Sequence, residues 1–169
     1  MKEKSNDKKT IKTPRKIIVK RIIVAILIVI WAVFVFNLSS QNGNDSSGLS
    51  RMIVELFTKD EAIINVVEPY VRKVAHLSEY ALGGMLFLVL LNTYELTDRR
   101  KMIISIAIGV WYAITDEVHQ MLVPERSGNI IDVWIDSLGI SIGVCVMMVY
   151  YKIKDIIINK KKQVVPVNK

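Results

Sequence analysis

The sequence predicts an all-α fold: a four-transmembrane-helix bundle with both termini cytoplasmic and an extracytoplasmic amphipathic helical loop. Three observations predict it. The chain of 169 residues is 51% hydrophobic, and its apolar residues gather into four stretches instead of interleaving with polar ones as in a soluble domain. Residues 22–36 are apolar without a break, a surface that only a bilayer or a deep core can hide. Basic residues favour the two tails and alternate connectors, as in a chain that weaves across a membrane.

Residues 1–16 form a basic tail, and nine of the 23 Lys and Arg residues fall within the first 21 positions. Beside an apolar segment this reads as a juxtamembrane arm near anionic lipid. The first span is about 17–37. Its apolar stretch is long for a signal peptide, and no small-x-small cleavage site follows, so it reads as an uncleaved span. Residues 42–48, rich in Gly, Ser and Asn, predict a flexible linker. Residues 50–72 alternate apolar and charged positions at helical spacing and predict amphipathic helices at the interface, or a cap on the bundle end. Pro69 is expected to break the chain direction before the next span.

The second span is about 74–92, the third 102–120 and the fourth 130–151. The uninterrupted apolar core of span two, residues 81–91, is too short to cross unless His76 and Glu79 are included. Span three must likewise admit Asp116 and its neighbours, and span four begins with Asp132 and Asp136. Residues 152–169 form a second basic tail. The single cysteine, Cys145, excludes an intrachain disulfide and any paired-cysteine metal or redox motif.

Charge sets the expected orientation. Residues 1–21, the turn at 95–101 and the tail from 152 hold eighteen basic and five acidic residues. The remainder holds five basic and eleven acidic residues, so the two sides carry about +13 and −6. The positive-inside rule places both termini in the cytoplasm and the acidic side outside. The net charge of +7 therefore belongs to membrane-facing tails, not to a nucleic-acid reader, and no nucleic-acid partner is expected. Nothing resembles the paired inverted repeats or the filter of a transport path.

Acid and imidazole groups sit at the same end of three successive spans. His76, Glu79, Tyr80 and Gly83 share one helical face; Tyr112, Asp116, His119 and Gln120 share another, with Glu117 about 100° away. Asp132, Asp136, Gly139 and Gly143 form a third stripe, and the Gly139-x-x-x-Gly143 spacing favours close helix packing. Arg126 is the only basic residue of the turn between spans three and four; it fits either a salt bridge or an anion clamp. Ionisable groups at this depth are expensive, so they are paired, wet or functional.

Four readings of the cluster stand side by side. A divalent metal, with His76, Glu79, Asp116, His119 and Asp136 as donors, is one. Acid–base catalysis by His76, Glu79, Asp116 and His119 on a lipid or cell-wall headgroup is another. Binding without chemistry, with Glu117, Gln120, Arg126, Asp132 and Asp136 contacting the ligand, is a third. The last is a satisfied polar network that ties the helices together. Whether the protein is an enzyme, and which cofactor it takes, stay open at this level.

Three of these segments carry a family likeness. His76-Leu77-Ser78-Glu79-Tyr80-Ala81-Leu82-Gly83 resembles the second-span signature of VanZ-like proteins. The stretches 115–120, 124–128 and 132–139 resemble the rest of that signature, in the same order, and the likeness covers about 74–150. It implies a multi-pass protein of the bacterial cell membrane with an envelope connection, because the family takes its name from an accessory protein of teicoplanin resistance. The partners it implies are membrane lipids, a cell-wall precursor or a glycopeptide-related ligand, with a homo-oligomer compatible. It does not choose between enzyme, binder and scaffold. In the catalytic version, His119 or His76 acts as base or ligand, Asp116 and Glu79 as its partners, and Arg126 as the anion clamp.

Overall fold

The computed structural model describes residues 13–40, 43–124 and 128–164, with side chains described at 13–40, 48–124 and 128–160. The described residues form five helices and no strand: α1 (Arg15–Ser39), α2 (Gly43–Glu55), α3 (Glu61–Leu91), α4 (Asp98–Gln120) and α5 (Ile130–Val164). Four of them, α1, α3, α4 and α5, are long and apolar enough to cross a membrane. The all-helical, multi-pass expectation therefore stands.

Each spanning helix buries one narrow stripe and exposes apolar side chains elsewhere, the inverse of a soluble helix. In α1 the buried residues are Val24, Trp31, Val35 and Ser39, while Ile22, Ile26, Val29, Ile30 and Val33 stay exposed. In α3 they include Tyr80, Gly83, Gly84, Phe87 and Leu88, at i, i+3, i+4, i+7 and i+8. The stripe of α4 runs through Ser105, Gly109, Ala113, Asp116 and Gln120. Trp31, Val35, Tyr80, Phe87, Leu88, Ala113, Ile140 and Val144 form the packed core where these stripes meet.

The tightest pairing is α3 on α5, and glycines make it so. A Cβ on Gly139 would strike the Leu77 carbonyl, one on Gly143 the Ala81 carbonyl, and one on Gly84 the Ile140 carbonyl. Backbone therefore meets backbone, as small residues allow in membrane helices. Residue 139 sits beside 77 and 143 beside 81, so the two helices run parallel in this register. That register brings Asp136 alongside the turn of α3 that carries His76.

The end of the bundle remote from His76 is fastened by Arg21. Its Nε donates to Thr93 Oγ1 at 3.0 Å, a terminal nitrogen donates to the Thr93 carbonyl at 2.7 Å, and the guanidinium lies 3.8 Å from the Tyr94 ring centroid. Thr97 caps α4 there, accepting from the Arg100 amide.

Two sequence expectations are corrected. The stretch read as a flexible linker over 42–48 is helical from Gly43, where α2 begins; residue 42 lies outside the described residues. Pro69 does not break the chain: it lies inside α3, which runs unbroken from its Asp60 cap to Leu91. A proline removes one backbone donor, but a helix of 31 residues with a side-chain cap and neighbours along its length tolerates that loss. The amphipathic residues from 61 onward are thus the first turns of the second span. The loop before them is strapped by Arg51, which bonds Glu55 at 2.8 Å and both Glu61 oxygens at 2.5 and 2.6 Å. The Glu61 hydrogen bond, then that of Glu55, raises the Arg51 pKa above its already high ordinary value.

Candidate functional site

At the end of the bundle opposite Arg21, a cleft opens between four helices. α3 supplies Arg72, Ala75, His76 and Glu79, which follow i, i+3, i+4 and i+7 and so share one face. Val35, Leu38 and Ser39 of α1 and Leu49 and Ser50 of α2 form the facing wall, and Asp116 enters from α4. The space open to water is about 50 Å³, enough for a few water molecules or the inner end of a polar group that reaches in from the open side.

Asp116 is buried, and its position is set by two donors. The Tyr80 hydroxyl and the Gln120 side-chain amide both donate to Oδ2, each at 3.0 Å. Oδ1 accepts no hydrogen bond among the described residues. A buried carboxylate with only half its acceptors used is costly unless a ligand or water completes it. Tyr80 is held in turn by the core: its ring lies edge-on to Trp31 at 6.0 Å, and Trp31 Nε1 donates to the Glu79 carbonyl at 2.8 Å. The indole thus pins the backbone of the turn that presents Glu79.

Arg72 and Glu79 are both half-buried, and neither side chain makes an ion pair or a hydrogen bond among the described residues. They set a guanidinium and a carboxyl group at the two ends of one cleft wall. Behind that wall, His76 Nδ1 lies 3.8 Å from Asp136 Oδ1, and Asp136 is 1% exposed. A carboxylate behind an imidazole can orient the ring.

The structure brings together His76, Glu79, Asp116 and Gln120, with Asp136 touching from behind. It does not bring His119 or Glu117 to the cleft. His119 stacks on Phe36 of α1 at 4.3 Å, and its Nε2 lies 3.0 Å from Ser40 Oγ. The Ser40 hydroxyl proton already serves the Phe36 carbonyl at 2.6 Å, so Nε2 carries the proton and donates to Ser40. Glu117 is buried and accepts the Asn129 amide, while Asn129 Oδ1 accepts from the Ile131 amide at 3.0 Å. Glu117 thereby helps close the turn into α5. Asp132 is half-buried in the first turn of α5 and does not line the cleft. Arg126 lies outside the described residues. Among the described residues, no three His, Cys, Asp or Glu side chains group as metal ligands.

Sequence reasoning missed Arg72, Leu49 and Ser50. The signal for Arg72 was present: it lies four residues before His76 and extends the same stripe. Reading Pro69 as a break hid it.

With this geometry in hand, the VanZ/LLP1 family model matches residues 24–159, most of the chain. No curated protein and no solved structure matches it. The chain belongs to the VanZ-like family.

Proposed function

We propose that this VanZ-like membrane protein is a binder: its cleft engages a cell-envelope component at the outer face of a bacterial membrane, and that engagement supports glycopeptide tolerance. Both termini are then cytoplasmic, a reading supported by the charges of +13 and −6 on the two sides. The ligand is a membrane lipid, a cell-wall precursor or a glycopeptide-related molecule. The observation that carries the reading is the meeting of Arg72, Glu79 and Asp116 in one cleft, each with polar capacity that no described residue engages. A purely structural network closes on itself. This one is closed at Tyr80, Gln120 and Asp116 Oδ2 but open, among the described residues, at Asp116 Oδ1, Arg72 and Glu79, and open polar groups at membrane depth point to a ligand.

The test is loss of function at constant abundance. Glu79→Gln and Asp116→Ala are expressed in a strain lacking the native chain, with membrane abundance and teicoplanin susceptibility measured together. The binder reading expects tolerance to fall while abundance holds. Tolerance unchanged in both variants would contradict it, and lost abundance in both would favour the scaffold.

His76 and Asp136 favour a second reading, acid–base chemistry on a lipid or cell-wall headgroup. Their 3.8 Å separation gives an oriented imidazole beside the cleft. Turnover of an envelope lipid by purified protein, lost in His76→Asn, would support it; intact lipid after prolonged incubation would sink it.

A further inference from the structure

The cleft sets a guanidinium and carboxyl groups on one wall, and that pairing restricts what can fill it. Arg72 and Glu79 are seven residues apart on one face of a continuous helix. At 1.5 Å per residue they stand about 10 Å apart along the axis. Both side chains are long and jointed, so their end groups can close on one small headgroup that lies between them. Two carbons between a phosphate ester and an amine set an anion and a cation close enough for one such headgroup to meet both.

We propose that the ligand is a headgroup carrying a phosphate and, two carbons away, a primary ammonium, with Arg72 taking the phosphate and Glu79 and Asp116 taking the ammonium. This assignment rests on the binding reading above and names its ligand class. Arg72 has the planar fork that matches a phosphate, and no described carboxylate competes for it. Glu79 and the open Oδ1 of Asp116 supply acceptors for an ammonium with three N–H donors. A quaternary ammonium has no such donors, and none of the described lining residues is an aromatic that would take it by cation–π contact. A purely anionic headgroup would satisfy Arg72 but leave the acidic end facing nothing of opposite sign.

The same chemistry exists on a membrane lipid and as a free phosphoethanolamine, so the experiment separates them. Native mass spectrometry is run on the purified full chain in detergent with equal amounts of dioctanoyl phosphatidylethanolamine and dioctanoyl phosphatidylglycerol. The proposal expects the ethanolamine lipid to be retained about tenfold over the glycerol lipid, the order one charge-assisted hydrogen bond supplies. Glu79→Gln abolishes that preference while keeping the glycerol lipid bound. Arg72→Gln lowers retention of both, and Arg72→Lys restores part of it. Displacement of the lipid by millimolar free phosphoethanolamine assigns a soluble ligand; resistance to it assigns the lipid. Since neither Arg72 nor Glu79 bonds a described residue, these variants leave the helix packing intact, which an unchanged thermal midpoint verifies. Equal retention of the two lipids by the unaltered chain, or an undiminished preference in Glu79→Gln, would overturn the headgroup assignment while cleft binding stands. No retention of any lipid or of free phosphoethanolamine by the unaltered chain would overturn both.

Discussion

The Tyr80 hydroxyl donates to Asp116 Oδ2 at 3.0 Å, from a ring with no solvent exposure. This bond joins the aromatic core of the bundle to the carboxylate that enters the cleft. Packing around Trp31, Tyr80 and Tyr112 therefore fixes where the acid of α4 sits.

Tyr80→Phe keeps the ring and removes that donor. Gln120 is then the remaining described donor to Asp116, at a cost of about 1–3 kcal/mol for a buried group left partly unsatisfied. The expected result is a thermal midpoint in detergent several degrees lower, with helix content unchanged. An unaltered midpoint would show that water replaces the hydroxyl without loss.

Gly143→Leu and Gly84→Leu force side chains against carbonyls of the partner helix. α3 and α5 must separate, so both variants should fall sharply in membrane abundance on an immunoblot. Gly48→Ala is the control, because a Cβ there meets nothing within 4 Å. Normal abundance of Gly143→Leu would contradict the backbone-to-backbone contact.

Arg51→Ala releases the strap from α2 to the start of α3. Exposed ion pairs of this kind contribute little to global stability, so the global midpoint should barely move. Local opening is different: amide exchange across α2 should quicken severalfold, since the strap holds Leu49 and Ser50 over the cleft. Unchanged exchange would show that apolar contacts alone hold α2.

Orientation is tested with single cysteines in a Cys145→Ser background. Phe57→Cys, at an 86% exposed position, should react with an impermeant thiol reagent on intact cells. Lys160→Cys should react only after permeabilisation. The reverse pattern would invert the topology.

Much of this architecture was legible in the chain. Span number followed from length and hydropathy, and the Gly139–Gly143 spacing favoured a close contact that the structure places against the Leu77 and Ala81 carbonyls. The stripe through His76 and Glu79 was legible because helical spacing is local. What failed depended on neighbours. His119 lies one turn past Asp116, but three residues rotate it short of a full turn, enough to meet Phe36 of α1. Glu117, one step off the stripe, is buried because the turn into α5 folds back onto it. Arg72 was lost to a local rule about proline that the length of α3 overrides.

Photo-crosslinking from within the cleft reads out whether it binds an envelope component. A photoreactive residue is placed at Ala75, on the cleft wall, and for comparison at Trp111 of α4, which is 70% exposed and outside the cleft lining. A discrete phosphate-bearing adduct is expected from position 75 in native membranes, lost when Arg72→Gln and Glu79→Gln are combined, and only bulk lipid from position 111. No adduct from position 75, or the same mixture from both positions regardless of the variants, would contradict it.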